Sequence, residues 1–109
     1  MLPEAGSAEV SEAKIVGYLL NRHHPAGRSK AAFFVDHGFR PDRWMDFANA
    51  LRLHASEHEV IEVDVTPFGT IDCVEGSLRT PGGRSPSVRS VWIVEDGERG
   101  PRLVTAYPS

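Results

Sequence analysis

The sequence predicts an α+β fold in which N-terminal helices pack on a four-stranded antiparallel β-meander. Two observations predict it. Apolar residues recur at helical spacing in three runs up to about Glu57, and beyond that point they alternate with a period of two. The alternating runs are joined by short segments rich in glycine and proline, which is typical of strands connected by turns. Helices that precede the strands, rather than alternating with them, favour helices packed on one face of an antiparallel sheet.

Three helices are expected in the first half of the chain. The first covers residues 11–20, with a serine as its N-cap, and the second covers residues 29–37 and ends at Gly38. The third begins at Pro41, because proline is favoured in the first helical turn. One side of this third helix carries Trp44, Phe47, Leu51 and His54. The two aromatic residues of that set are expected in the core.

Four strands are expected in the second half. They cover residues 61–65, 71–74, 88–95 and 103–107, separated by the turns TPFGT, TPGGRSP and DGERGP. The register between strands three and four decides which residues share the face away from the helices, which we call the open face. An even register sum places Arg89 beside Thr105 and Tyr107, whereas an odd sum places Ser90 and Trp92 there. The sequence leaves both registers open.

The bulk composition favours one small domain. The chain has 109 residues, 40% of them hydrophobic, with a net charge of -3. Residues 1–10 show no periodic pattern and no signal-sequence pattern, so we expect a flexible arm there and a single domain over residues 11–109. Cys73 is the one cysteine, which fits a small buried side chain in a reducing, cytoplasmic protein. Because no apolar run approaches the roughly 18 residues of a membrane span, no membrane contact is expected.

Charge is unevenly distributed along the chain. Residues 57–75 carry six acids and no lysine or arginine, whereas residues 19–35 and 76–94 carry cations and no acid. Lysine and arginine both bind phosphate groups, arginine through a planar fork. We predict that the fold closes the two cationic segments into one anion-binding cleft at the open face. The alternative is that these charges only form a solvated surface.

The histidines offer a second type of chemistry. His23 and His24 stand in NRHHPAGRSK, where either is a candidate general base near neutral pH. The alternative is a pair that binds the last carbonyls of the preceding helix. The five histidines lack HExxH or another metal-ligand spacing, and there is no cysteine pair. We therefore expect neither a metal nor a cofactor.

Three stretches carry a resemblance to a known family. YLLNRHHPAGRSKAAFF, FANALRLHA and VEGSLRTPGGRSPSVRSVWIVEDGERGPRLVTAYP together resemble a bacterial family of domains of unknown function, over residues 13–108. Members of that family resemble the barnase–EndoU–colicin–RelE group of RNA-cleaving folds, found in toxin–antitoxin systems, polymorphic toxins and phage proteins. The resemblance implies metal-independent cleavage in which the RNA 2′-hydroxyl attacks the neighbouring phosphate and leaves a 2′,3′-cyclic phosphate.

The same resemblance suggests site residues and partners. The suggested site residues are His24 as base or acid, Lys30, Arg84 and Arg89 as phosphate ligands, and Thr105 and Tyr107 as hydroxyl donors. Trp92 is expected in the core, with a base-stacking platform as the alternative. RNA and a cognate antitoxin or immunity protein are the implied partners. The competing function is a non-catalytic protein-interaction module that uses the open face or the acidic segment 57–75.

Overall fold

The chain folds in the predicted order, with helices first and strands second. The structure, a computed structural model, describes residues 2–95 and 100–109. Most of the predicted turn DGERGP therefore lies outside the described residues. The α+β fold with a four-stranded antiparallel sheet is confirmed. No helix in the described ranges is long and apolar enough to span a bilayer.

The helical half contains three helices and two short 3₁₀ turns. In chain order these are a 3₁₀ turn (Ala5–Ser7), α1 (Glu12–Lys14) continuing into a π-helical turn (Ile15–Leu19), α2 (Arg28–Asp36), a second 3₁₀ turn (Pro41–Arg43) and α3 (Trp44–Glu57). The Ser11 side chain accepts a hydrogen bond from the Lys14 amide and caps α1. Gly38 has a φ of 101°, which glycine adopts without strain, and the chain turns there after α2.

The strands form a simple meander. They are β1 (Val60–Thr66), β2 (Gly69–Ser77), β3 (Ser87–Glu95) and β4 (Arg102–Pro108), in the spatial order β1-β2-β3-β4. In the register of β3 and β4, Arg89 pairs with Tyr107 and Val91 with Thr105, before a shift between Val91 and Trp92. The even register sum is therefore the one adopted, and Arg89, Thr105 and Tyr107 share a face.

The core lies between the helices and the other face of the sheet. Phe47 and Trp92 are fully buried there, so Trp92 is a core residue and not an exposed stacking platform. Trp44 is only partly buried, packed against the edge of the core, so its predicted place in the core is only half right. It is the first residue of α3 and follows an exposed 3₁₀ turn, which leaves it at the end of the helix that is less enclosed.

A buried polar network fixes α3 to the sheet. Nε2 of His54 lies 3.1 Å from the Gly76 carbonyl and 3.0 Å from the Val88 carbonyl, so this nitrogen carries the hydrogen and donates. Nδ1 then accepts from the Ser90 hydroxyl at 3.0 Å, and Ser90 in turn accepts from Nε1 of Trp92 at 2.8 Å. Each of these buried polar groups thus has a partner, as burial requires.

The N-terminal segment, for which the sequence predicts a flexible arm over residues 1–10, is packed from Leu2 onward. Its buried residues are Leu2, Ala5, Ala8 and Val10. The Arg52 side chain donates to the Ala8 carbonyl at 2.8 Å. Glu9 forms two backbone hydrogen bonds beside β4, from its amide to the Pro101 carbonyl and from the Leu103 amide to its own carbonyl. Small apolar residues at irregular spacing give no periodic signal, yet they fill a gap against the sheet and α3.

Candidate functional site

Tyr18 links the two halves of the fold at the edge of the sheet. It lies in the π-helical turn after α1, and its hydroxyl is 2.7 Å from Nζ of Lys30, in the first turn of α2. The same hydroxyl is 3.4 Å from Oγ1 of Thr105 on β4. Two of the sequence-predicted site residues, Lys30 and Thr105, are therefore brought together, and the residue that joins them is one the sequence did not single out.

Two lysines flank the Tyr18 ring. Nζ of Lys14 lies 5.8 Å from the ring centroid and Nζ of Lys30 lies 5.2 Å from it. Neither lysine forms an ion pair within residues 2–95 and 100–109, whereas arginines such as Arg22 and Arg79 are paired with carboxylates. Both positive charges are thus available to an anion from solution.

These contacts favour ionisation of Tyr18. The hydrogen bond from Lys30 lowers the pKa of the Tyr18 phenol, the Thr105 hydroxyl adds to the effect, and burial opposes it. When Tyr18 is a phenolate, the ammonium and the threonine hydroxyl both donate to it, which is why the charged form is preferred. Tyr18 is consequently a candidate proton acceptor.

His24 is held in one tautomer beside Tyr18. Its Nδ1 accepts hydrogen bonds from the backbone amides of Ala26 at 3.1 Å and Gly27 at 3.2 Å. A neutral imidazole that accepts at Nδ1 carries its hydrogen on Nε2. His24 therefore offers a hydrogen-bond donor in this arrangement, so of its two predicted roles, base or acid, the geometry favours the donor.

Gly27 allows the His24 loop to approach Tyr18. A Cβ at this position would lie 2.8 Å from both Cδ1 and the carbonyl oxygen of Tyr18, a separation that side chains do not tolerate. The His24 and Tyr18 rings pack edge to face, with centroids 5.0 Å apart. The glycine in HHPAGRSK thus serves close packing at this site.

An open groove runs along these residues. It has a volume of about 670 Å³ and is lined by Ser11, Ala13, Lys14, Gly17, Tyr18, His24, Val104 and Thr105. The groove lies between the first helical segment and the edge strand β4. Lys14 is the one charged residue of this lining, and Nζ of Lys30 lies 2.7 Å from the hydroxyl of the lining residue Tyr18, so an anion fits the groove electrostatically.

Arg89 and Tyr107 form a second group, one step further along the same strand. They are directly paired across β3 and β4, and Tyr107 lies two residues after Thr105 on the same face. Nε of Arg89 is 3.0 Å from Oε1 of Glu75, so its charge is already paired. The Glu75 contact, followed by the Tyr107 hydroxyl, raises the pKa of Arg89, and the same arginine lowers the pKa of Glu75.

Cys73 lies under this second group and is buried. Burial raises the pKa of its thiol, which disfavours the thiolate that a nucleophile requires. The structure therefore agrees with the sequence interpretation of Cys73 as a small buried side chain.

Arg84 is separated from Lys30. It lies in the exposed turn between β2 and β3, where its carbonyl accepts from the Thr80 hydroxyl at 2.6 Å. That turn packs at the C-terminal end of α2, through a 3.0 Å hydrogen bond from the Gly82 amide to the His37 carbonyl. Lys30 is in the first turn of this nine-residue helix. At 1.5 Å per residue, α2 rises about 10 Å from Lys30 to His37, so the turn that holds Arg84 contacts the end of α2 away from Lys30, and a phosphate site shared by the two residues stays a prediction.

Sequence reasoning missed Lys14 and Tyr18. One signal was present, because the two residues stand four apart in the first helical pattern and therefore share a helix face. The contact between Tyr18 and Thr105 spans 87 residues and depends on where β4 lies, which local patterns do not report. Within the described part of the chain, no group of three or more histidine, cysteine or acidic residues could hold a metal ion.

A comparison with known protein families assigns the chain to one of them. A family model described as "Domain of unknown function (DUF6883)" matches residues 1–109, the whole sequence. The chain belongs to this family. The comparison with curated proteins gives no match.

A solved structure shares the fold of this DUF6883 domain. It is a chain of a contact-dependent growth inhibition toxin–immunity protein complex from Klebsiella pneumoniae 342, with a TM-score of 0.75 and 15% sequence identity. The match covers 96% of this chain and 96% of that chain. At this identity the likeness concerns the arrangement of helices and strands, which extends over nearly the full length of both.

Proposed function

We propose that this domain is a toxin that cleaves RNA through attack of the 2′-hydroxyl on the neighbouring phosphate, in a mechanism that needs no metal ion. The observation that carries the proposal is the hydrogen bond from Lys30 to Tyr18 in an open groove with a second unpaired lysine. This arrangement provides a base of lowered pKa next to charges that an anion can bind, which is what this reaction requires.

The phosphate is bound by the cations of the groove. Lys14 and Lys30 have no carboxylate partner among the described residues; Lys14 is free to bind a phosphate, and Lys30 shares its ammonium between the Tyr18 oxygen and the phosphate. The Nε2 hydrogen of His24 donates to a second phosphate oxygen. As negative charge grows on these oxygens in the transition state, the fixed donors stabilise it more than the ground state.

The protons move between tyrosines in this scheme. The Tyr18 phenolate takes the proton from the 2′-hydroxyl, whose oxygen then bonds to phosphorus. The bond from phosphorus to the 5′ oxygen breaks, and that oxygen receives a proton from the Tyr107 hydroxyl. The products are a 2′,3′-cyclic phosphate and a free 5′-hydroxyl, and solvent restores both tyrosines to their starting protonation states.

Arg89 has a secondary role here, and Arg84 has none. Because Arg89 is paired with Glu75, it can contact a phosphate only by sharing its guanidinium between two anions. Arg84 lies beyond the opposite end of α2 and is the natural control residue.

The likeness to a toxin–immunity complex supports the biological setting. A toxin that cleaves RNA acts in the cytoplasm, where its substrate is, and needs a neutralising protein partner in the cell that makes it. The fold similarity over 96% of both chains is consistent with either member of such a pair. The lysines beside the Tyr18 hydroxyl in an open groove support the toxin, because the proposed reaction needs cations next to a group that can exchange a proton.

The test is RNA cleavage by purified protein in the presence of EDTA. We expect cyclic phosphate ends from wild type, a loss of about 10²-fold or more in rate for Tyr18→Phe and Lys30→Ala, and a near-wild-type rate for Arg84→Ala. Circular dichroism and melting temperature establish that each variant is folded. Equal cleavage by all four proteins, or activity that EDTA abolishes, would contradict the mechanism.

A specific observation favours the alternative, a non-catalytic interaction module. The first strand is exposed, apolar and acidic, as such a module requires. Under this alternative, no variant in the groove alters any RNA, and folded wild-type protein leaves RNA intact at every concentration.

A further inference from the structure

The two edges of the sheet differ in how they are covered. Backbone hydrogen bonds of Glu9 cover the beginning of the β4 edge, at 2.8 and 2.9 Å, and Tyr18 reaches Thr105 further along it. In the described residues β1 pairs with β2 alone. Because hydrogen-bonded and non-hydrogen-bonded pairs alternate in an antiparallel ladder, every second residue of β1 directs its amide and carbonyl away from β2.

The side chains of β1 are exposed on both faces. Val63 and Val65 pair with Asp72 and Thr70, and so lie on the same face as the core residue Val74. They nevertheless remain 51% and 85% exposed. The reason is that α3 packs over β2 and β3, to which His54 is hydrogen-bonded, and leaves the β1 part of this face bare.

Phe68 extends this apolar surface at the turn after β1. It is 73% exposed, and it stands three residues after Val65 in the chain. Proteins usually protect such an edge with lysine, proline or a bulge. Here the one register shift is at the start of the strand, between Val60 and Glu62, and residues 62–66 stay regular with neither lysine nor proline.

The opposite face of β1 is acidic. Glu62 and Asp64 pair with Cys73 and Ile71 and are exposed. Neither acid forms an ion pair with any described residue. The strand thus presents valine on one face and carboxylate on the other, with a free backbone edge between them.

This pattern disfavours a second copy of the chain as the partner. Antiparallel pairing of β1 with itself in the even registers that align the centres of the two strands sets Glu62 or Asp64 opposite an acid, which is destabilising. An odd register sets Glu62 or Asp64 opposite the valines and mixes the two faces. A partner strand with the complementary pattern has neither defect.

We propose that β1 is a docking edge to which a partner protein adds an antiparallel strand, with apolar side chains beside Val63 and Val65 and lysine or arginine beside Glu62 and Asp64. Backbone hydrogen bonds supply affinity, and the alternating side chains supply specificity. This docking does not depend on RNA cleavage, because the groove lies at the other edge of the sheet.

The probe is a short, end-capped, fluorescein-labelled peptide in which lysine alternates with valine, measured by fluorescence anisotropy at physiological salt. In the first control peptide, of the same composition, the lysines and valines stand in two blocks, which tests whether positive charge alone is sufficient for binding. In the second, glutamate alternates with valine, which tests whether binding requires positive charge. We expect binding of the alternating lysine peptide at least about 10-fold tighter than of either control, since matched cross-strand pairs add to the backbone bonds.

Two variants test the edge. Val65→Lys places on β1 the lysine with which natural edge strands oppose pairing with another strand, and Asp64→Lys reverses one charge. Both sites are exposed, so the fold is retained, as circular dichroism will verify. Each variant is expected to bind the alternating lysine peptide about 5-fold or more weakly than wild type does. Glu12→Lys makes an equal charge change on α1 and is expected to bind the peptide as wild type does. The proposal is overturned if all peptides bind equally, if none binds, or if Val65→Lys binds the lysine peptide as wild type does. It is also overturned if the wild type sediments as a dimer and Val65→Lys as a monomer.

Discussion

His54 is a titratable side chain enclosed by the core and held by three polar contacts. Its ring nitrogens are satisfied only in the neutral form, with Nε2 donating to carbonyls and Nδ1 accepting from Ser90. Burial lowers the pKa of His54, and the carbonyl contacts offset this only in part. One residue thereby couples the packing of α3 to pH.

The sign of this coupling gives a prediction. In the unfolded chain the pKa of histidine is about 6.5, so below that pH the unfolded state binds a proton that the native state refuses. The free energy of unfolding should fall as pH drops from about 7 toward the lowered folded pKa, by at most about 1.4 kcal/mol per pH unit for this group. Denaturant titrations of wild type and His54→Gln at a series of pH values measure it. A steeper pH dependence in the variant than in wild type would contradict this explanation.

Tyr18 shows what a residue-level pattern in the sequence can and cannot provide. The sequence identified Lys30, Thr105 and His24 as candidates, and all three lie around the Tyr18 side chain. The sequence did not identify Tyr18 because its importance comes from partners 12 and 87 residues away. Local spacing reports a shared helix face, but it does not report a contact between a helix and a distant strand.

At the scale of elements, the period of the apolar residues was sufficient for type and order. The three helices and four strands lie where the helical and alternating patterns are, with ends that differ by a residue or a few. The first helix departs most, since α1 gives way to a π-helical turn in which the Leu20 amide donates to the Ile15 carbonyl at 2.8 Å. A wider turn keeps the same apolar spacing for several residues, so periodicity alone does not distinguish it from an α-helix.

The two aromatic residues on α3, Phe47 and Trp44, differ in how deeply they are buried. Phe47 is fully enclosed, with the Phe34 and Phe39 ring centroids 4.7 and 4.5 Å from its own. We expect Phe47→Ala to lower the free energy of unfolding by about 3–5 kcal/mol. Trp44 is only partly buried, and its replacement by alanine should lower the free energy of unfolding by roughly 1–3 kcal/mol, because less apolar surface returns to water. Urea unfolding of the two variants provides the comparison, and an equal or larger loss for Trp44→Ala would contradict the assigned burial.

At the scale of the whole molecule, the antiparallel sheet has one edge covered in part by its own chain and one edge, β1, that pairs with β2 alone among the described residues. Residues 2–10 contribute buried side chains, and Glu9 covers the beginning of β4. The sequence predicted the sheet and its order but not this covering, because single small residues such as Ala5 and Ala8 have no pattern. It also left open the β3–β4 register, which depends on core packing beyond any one strand.

The net charge of -3 conceals two opposite surfaces. The groove at the β4 edge presents unpaired lysines, and the β1 edge presents unpaired carboxylates among the described residues. Under the two proposals, an RNA and a cationic partner strand bind at different edges of one sheet. Binding at one edge would then leave the other accessible, so the two ligands need not compete.

The toxin proposal makes a prediction for whole cells. Induced expression of the wild-type domain in the bacterial cytoplasm should slow growth, because a catalyst of RNA cleavage acts on many substrate molecules per protein. Tyr18→Phe retains the ring but loses the proton acceptor, so cells that express it should grow normally, while the matched control Arg84→Ala should slow growth as wild type does. Growth curves at matched levels of folded soluble protein, with RNA ends analysed from the same cultures, are the measurement. Normal growth with abundant folded wild type would favour the interaction module, and equal growth inhibition by Tyr18→Phe would place any toxicity outside the groove.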